Sequence, residues 1–158
     1  MTWGCGYHSA GRANLLPPDL RTLAVPAFIN ETQAYRIEQM LTSAVVEELS
    51  TRSRYQVTAD PGAADAILHG TVLSSYTTPL TYDSTTGRAA TVLVIVSMSV
   101  SLADRQGRVL YQNPSYTFRE QYQVSQDASS FFEEDSPAFQ RLARQFARSL
   151  VSNILESF

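Results

Sequence analysis

One segment, residues 92–102, constrains the fold more than any other part of the sequence. Apolar side chains occupy every second position there, and serines stand at three of the positions between them. Because successive side chains of a β-strand point to opposite faces, this alternation predicts a long strand with one buried face. Such a strand needs neighbours in a sheet and a layer that covers its apolar side. The apolar positions are Val92, Val94, Val96, Met98, Val100 and Leu102.

Two amphipathic helices are predicted to supply that layer. The first follows the capping residues Asn30-Glu31-Thr32 and runs to about Thr51. The second starts at Ser136, with Pro137 at its first helical position, and reaches the C-terminus. The apolar stripe of the first helix comprises Ile37, Met40, Leu41, Ala44, Val45 and Leu49. The second stripe comprises Phe139, Leu142, Ala143, Phe146, Ala147, Leu150, Val151, Ile154, Leu155 and Phe158.

The remaining strands are shorter or less regular. Residues 20–28 predict a first strand, with Pro26 near its end because proline cannot donate to a strand ladder. Residues 55–57 predict a short strand, and residues 66–76 and 109–124 predict long ones. The predicted fold class is therefore α+β, with the order β-α-β-β-β-α. It contains a mixed sheet of about four strands, with two helices packed on one face.

Residues 1–20 are expected to form a tether, followed by a single α+β domain over residues 21–158. The N-terminal segment contains Gly, Ser, Asn and the pair Pro17-Pro18, and it carries the one cysteine of the sequence, Cys5. Gly4-Cys5 fits the last two positions of a bacterial lipoprotein cleavage site. The charged and apolar parts of a signal peptide do not precede it, so we expect Met1 to stand where that signal was. A free cysteine in a tail is the alternative interpretation.

Composition excludes several classes of function. Twelve basic and 15 acidic residues give a net charge of −3, which argues against a nucleic-acid-binding domain. All 12 basic residues are Arg, so Schiff-base chemistry and a P-loop lysine are absent. The two histidines, His8 and His69, stand apart, and no spacing of His, Cys or carboxylates predicts a metal site. We expect a protein that is not an enzyme and that uses no cofactor or metal.

Several segments together resemble a known family. Cys5-Gly6-Tyr7-His8 opens the chain, residues 22–32 precede an amphipathic helix, and residues 64–72 begin a long strand. With the hairpin and the C-terminal helix that follow, this arrangement resembles the lipopolysaccharide-assembly lipoprotein family, LptE, over nearly the whole length. Cys-Gly-Tyr-His is its most specific part, and the resemblance makes Cys5 the lipidated residue.

The resemblance implies a location, partners and a fold. Such proteins lie at the periplasmic face of the outer membrane, anchored by an N-terminal lipid. They plug and help assemble the lipopolysaccharide (LPS) export β-barrel, LptD, and bind LPS during its transport to the cell surface. Their fold has two helices against a four-stranded mixed sheet. The guanidinium of arginine suits bidentate phosphate contact, so Arg88, Arg108 and Arg119 are the candidate LPS-binding residues.

A second function class fits some of the same segments. The first strand and the Ala-Asp-Ala-Ile-Leu-His-Gly strand also resemble parts of other envelope lipoproteins. The alternative hypothesis is a periplasmic regulator or secretion component with a protein partner and no lipid ligand. The Arg141, Arg144 and Arg148 face of the second helix would serve either a phosphate ligand or, more simply, contact with solvent.

Overall fold

A computed structural model of the chain describes residues 20–34, 36–85, 87, 89–123 and 137–156. The predicted residues Cys5, Arg88, Ser136 and Phe158 lie outside the described residues, as does the tether before Leu20. Six strands and two long helices are present: β1 (Thr22–Ala24), β2 (Ile29–Asn30), α1 (Ile37–Arg52), β3 (Gln56–Thr58), β4 (Ala66–Tyr82), β5 (Ala89–Asp104), β6 (Val109–Gln123) and α2 (Pro137–Glu156).

All six strands belong to one mixed sheet with the order β3-β1-β4-β5-β6. β1 runs parallel to β3 and β4, whereas β4, β5 and β6 form an antiparallel meander. β2 pairs with β4 further along the same edge that β1 occupies. The predicted fold class, α+β with a mixed sheet, is confirmed. The predicted number of about four strands is wrong, and the order is β-β-α-β-β-β-β-α.

One of the additional strands arises because the predicted first strand is divided into β1 and β2. Pro26 cannot donate to the ladder, and the chain leaves β4 between Ala24 and Ile29. Phe28 turns inward there and is 3% exposed. Its ring lies over Gly70 of β4, which has no side chain to occupy that space. A proline between β1 and β2 and a glycine on the neighbouring strand β4 therefore accompany the division of the predicted strand into two short ones.

The first helix begins later than its predicted cap. Asn30 Oδ1 accepts a hydrogen bond from Thr32 N at 2.9 Å, and Thr32 Oγ1 accepts one from Ala34 N at 3.0 Å. These bonds order the turn before α1, and the helix begins at Ile37 after Arg36, whose φ is 60°. Asn30 and Thr32 are therefore turn residues and not the helix cap.

The core lies between the helices and one face of the sheet. The predicted stripe of α1 is confirmed, since four of its six members are buried and the other two, Met40 and Ala44, pack against the core. Every second residue of β5 from Val92 to Leu102 is buried too, as the alternation predicts. From α2, the buried side chains are Leu142, Ala143, Phe146, Ala147, Leu150, Val151 and Ile154.

Polar contacts align the second helix on this core. The hydroxyl groups of Tyr116 on β6 and Ser149 on α2 form a short hydrogen bond, and Asn153 Nδ2 donates to the Tyr116 hydroxyl at 3.2 Å. Arg52, at the end of α1, donates to the carbonyl of Arg148 at 3.1 Å. The two helices therefore run along the same face of the sheet, which confirms the predicted packing.

Candidate functional site

The β4–β5 hairpin extends beyond the helical layer. β4 contains 17 residues and α2 contains 20. At about 3.3 Å per residue the strand is about 56 Å long, whereas at 1.5 Å per residue the helix is about 30 Å long. All residues of β4 from Tyr76 to Tyr82 are exposed, including the large side chains of Tyr76, Leu80 and Tyr82. The exposed part of this hairpin, which we call the ribbon, therefore forms an edge of the sheet on its β4 side, while β6 pairs with β5 on the other side.

A bulge in β4 decides which side chains the ribbon presents. Val72 pairs with Met98 and Ser74 pairs with Ser97, so Leu73 is an extra residue without a partner on β5. Such a residue reverses the inward and outward positions of the residues that follow, here as far as Pro79, where the next register shift begins. Tyr76 is therefore paired with Ile95 on the face away from the helices. Sequence periodicity missed this position, because the even-numbered residues of β4 before the bulge point inward.

The face away from the helices is polar and uncovered in the described residues. Ser97, Ser99 and Ser101 of β5 lie on it, as the predicted alternation requires, and each is partly exposed. Ser97 Oγ and Thr117 Oγ1 share a hydrogen bond of 3.1 Å across β5 and β6. His69 is opposite Ser101 and is exposed. We call this surface the open face.

Arg119 lies on the open face in one row with two apolar side chains. Ile95 pairs with Tyr76 on one side and with Arg119 on the other. Arg119 is exposed, and its neighbour Glu120 points to the opposite face, where its carboxylate accepts from Arg141 Nε at 3.0 Å. No ion pair joins Arg119 to a carboxylate among the described residues. The row thus combines a guanidinium with an exposed aromatic ring and an aliphatic side chain.

Arg108 has a different environment, in the turn between β5 and β6. Asp104 Oδ1 accepts from the backbone N–H groups of Gln106 and Arg108, and Arg108 Nε donates to Asp104 Oδ2 at 3.1 Å. Burial by itself would raise the pKa of the Asp104 carboxyl. The two backbone N–H donors and the Arg108 guanidinium stabilise the ionised carboxylate more strongly than burial destabilises it, so the pKa is lowered overall. Gly107 completes this turn with a φ of 82°.

The three candidate arginines do not form one site. Arg108 directly precedes β6 and Arg119 lies within it, and eleven steps of about 3.3 Å place them roughly 36 Å apart. Arg88 lies outside the described residues, between the ends of β4 and β5. It follows that Arg119 is in the half of the sheet that includes the ribbon, whereas Arg108 is at the opposite end.

The basic face of α2 is divided among different neighbours. Arg141 binds Glu120 on β6, whereas Arg144 and Arg148 line a groove of about 530 Å³ between the helices. Glu47 and Glu48 of α1 line the same groove. The mixed charge agrees with the simpler expectation of a helix face in contact with solvent.

The described residues hold no group of three His, Cys, Asp or Glu side chains that could ligate a metal. Nor does a helix in the described part of the chain have the length and apolar character required to cross a membrane. The surface offers hydroxyl groups, exposed tyrosines and a guanidinium, which suit recognition of a polar or phosphorylated partner.

Solved structures with similar folds come from bacterial lipoproteins and related proteins. A putative lipoprotein from Caulobacter crescentus CB15 is 16% identical, with a TM-score of 0.54 over 80% of this chain and 87% of that one. A hypothetical protein from Chlamydia trachomatis is 13% identical, with a TM-score of 0.55 over 88% and 99%. The rare lipoprotein B from Shewanella oneidensis is 17% identical, with a TM-score of 0.50 over 87% and 92%. No curated protein sequence matches the chain.

The fold is thus of a class found in bacterial envelope lipoproteins, a mixed sheet with two helices on one face. The family model described as lipopolysaccharide-assembly, LptE, matches residues 20–154. The chain belongs to the LptE family, as the resemblance of the sequence indicated. This family consists of LPS-assembly lipoproteins of the cell envelope, and it is a non-enzymatic family.

Proposed function

We propose that this lipoprotein plugs the lumen of the LPS-export β-barrel, LptD, helps that barrel to assemble, and binds LPS during its transport to the cell surface. The observation that carries the proposal is the ribbon, where Tyr76–Tyr82 are all exposed at the edge of the sheet. A domain with such an exposed end can lie at the end of a wide barrel and reach into it. Family membership supports the same assignment.

The open face has the chemistry that a barrel interior requires. The lumen of a large outer-membrane barrel is polar, so a plug must offer polar groups without many isolated charges. Serine and threonine hydroxyl groups can exchange partners with a polar wall, whereas burying an unpaired charge is expensive. Arg119 is the exposed cation in the row that crosses Ile95 and Tyr76.

Arg119 is also the best placed of the described candidates to bind LPS. A guanidinium can bind a phosphate through two parallel N–H donors, and Tyr76 and Ile95 add apolar surface beside it. That combination fits an amphipathic ligand with phosphate groups. Arg88 and Arg108 remain proposed LPS-binding residues, each at a separate place.

The proposal includes an anchor and a location. Cys5 carries the lipid, residues 1–20 form the tether, and residues 21–158 form one domain at the periplasmic face of the outer membrane. The domain turns over no substrate. Fractionation of cells that express the chain behind a lipoprotein signal tests the anchor. We expect Cys5→Ser to leave the outer-membrane fraction, and its retention there at wild-type level would contradict the assignment.

A photo-crosslinker tests contact with the barrel. It is placed at Tyr82, which is 63% exposed on the ribbon, with Gln106 in the turn at the other end of the sheet as the matched exposed control. We expect Tyr82 to capture LptD much more efficiently than Gln106 does. Crosslinks from Tyr82 that reach only soluble periplasmic proteins would favour the regulator or secretion hypothesis instead.

Charge reversal tests LPS binding. We expect Arg119→Glu and Arg88→Glu to weaken binding of labelled LPS, with less effect at high salt, because exposed charges are screened over about 8 Å at physiological ionic strength. Arg148→Glu is the matched control, since it makes the same charge change in the groove between the helices. LPS binding that is indifferent to salt and to substitution at Arg88, Arg108 and Arg119 would refute this part of the proposal.

A further inference from the structure

Exposed apolar side chains concentrate along one edge of the open face. Six large apolar side chains are exposed in the described residues, and two of them, Tyr82 and Val109, stand apart from the rest. Single exposed apolar residues are normal on a protein surface, whereas several along one line of the surface mark a binding site. The other four follow β2 and β4, and we call them the apolar stripe: Ile29, Leu73, Tyr76 and Leu80.

Two bulges in β4 supply half of the apolar stripe. Leu73 is the extra residue of the bulge described above, and Leu80 is the extra residue of a second one, directly after Pro79. Leu73 follows the buried Val72, so alternation places it on the open face. Pro79 pairs with Val92 of the buried row, so Leu80 lies on the open face as well. Bulges redirect side chains and are common next to functional sites.

Strand pairing brings the other two members to the same face. Ile29 on β2 pairs with Thr71 of β4, and Thr71 pairs with Ser99 on the open face. Tyr76 lies on that face as described above. Nine steps of about 3.3 Å lead from Thr71 to Leu80, so the apolar stripe is roughly 30 Å long.

The charge beside the apolar stripe is positive. Arg119 lies in the row of Tyr76 two strands away, at about 10 Å for a strand spacing of about 4.8 Å. β4 carries no Asp, Glu or Arg, and the carboxylates of β5 and β6 are Asp104, at the far end, and Glu120, on the opposite face. Two further carboxylates directly follow β2 and β4, on Glu31 and Asp83. The strands therefore offer an apolar line and one cation, which complement a molecule with apolar chains and an anionic group.

We propose that the apolar stripe binds acyl chains of the LPS molecule whose phosphate Arg119 binds. This inference rests on the proposed binding of LPS and adds the apolar part of the ligand to it. The lumen of a large barrel is polar, so an acyl chain beside it leaves water only by lying against apolar protein surface. An added strand from a protein partner fits this edge less well, because a proline such as Pro79 blunts an edge against strand pairing.

Two forms of LPS test the proposal: intact LPS, and the same LPS after chemical removal of its acyl chains. Both carry a fluorescent label on the sugar and are titrated with the 158-residue chain. Leu73 and Leu80 are 42% and 47% exposed, and covering the exposed part of one leucine contributes roughly a factor of three to ten in affinity. We therefore expect Leu73→Ser combined with Leu80→Ser to weaken binding of intact LPS at least about tenfold, and binding of deacylated LPS less than about twofold.

Val109→Ser is the matched control, because Val109 is 53% exposed and begins β6 at the other end of the sheet. We expect it to change neither affinity by more than about twofold, with every variant folded by circular dichroism. Equal binding of both forms by the wild type, or equal losses from the leucine pair and from Val109→Ser, would overturn the inference while LPS binding stands. Failure of both forms to bind would refute the proposed LPS binding together with it.

A photo-crosslinker at Leu80 distinguishes lipid contact from protein contact in cells. We expect adducts that contain LPS. Adducts with LptD alone would show that a protein segment covers the apolar stripe, which would overturn the inference and leave the barrel partnership intact. The Tyr82 experiment tests that partnership separately, since Tyr82 is not part of the stripe.

Discussion

Gly70→Ala offers a quantitative test of how the sheet edge is packed. A Cβ at this position would lie 2.9 Å from Phe28 Cδ1, 3.0 Å from Cε1 and 3.1 Å from Cγ. The Phe28 ring cannot move away easily, because its residue is 3% exposed and its backbone N–H donates to Thr42 Oγ1 at 3.0 Å. The substitution therefore forces overpacking between β4 and the segment that joins β1 to β2.

The expected cost follows from two opposing effects. Overpacking of this kind costs about 1–3 kcal/mol, whereas alanine regains about 0.5–1 kcal/mol through its lower backbone entropy in the unfolded chain. We expect a net loss of about 1–2 kcal/mol in the free energy of unfolding. For a domain of this size, that loss lowers the Tm by about 3–6 °C.

Thermal and urea unfolding followed by circular dichroism measure the change. Gly62→Ala is the control, because its Cβ would meet only Asp60 Oδ1 at 3.4 Å, an ordinary contact. Phe28→Leu in the Gly70→Ala background should recover part of the loss, and a double-mutant cycle would report the coupling. If Gly70→Ala is as stable as the wild type, the argument from ring contact is wrong.

Two further predictions concern stability. The backbone N–H groups of Arg21 and Thr22 donate to the Asp65 carboxylate and lower its pKa. The stabilisation that the ionised carboxylate gives the folded state is therefore fully present above the pKa of the unfolded chain, near 3.8, and is lost as the pH falls through the folded pKa. The Tm difference between wild type and Asp65→Asn should accordingly shrink between pH 7 and pH 3, and a constant difference would contradict this. The ring of Phe146 is stacked on Phe118, with 4.7 Å between the ring centroids. We expect Phe146→Ala to lower the free energy of unfolding in urea by about 3–5 kcal/mol, and Phe146→Leu to lower it much less.

Local periodicity determined the elements that form the core. The alternation over residues 92–102 and the helical stripes around Leu41 and Leu150 depend on neighbours within a few positions of the chain. A regular strand or helix converts that spacing directly into a buried face, and the structure confirms both. The acylation assigned to Cys5 comes from sequence as well, and it remains a prediction.

Tertiary structure decided what the surface presents. One unpaired residue, Leu73, reverses the faces of β4 and places Tyr76 beside Ile95 and Arg119. Likewise, Ile29 and Leu73 are far apart in sequence and lie on one stripe because β2 pairs with β4. Register and bulges arise from pairing between distant segments, and no pattern within a single segment encodes them. Residue spacing along the chain therefore predicts the buried faces, whereas pairing between strands determines which exposed groups act together.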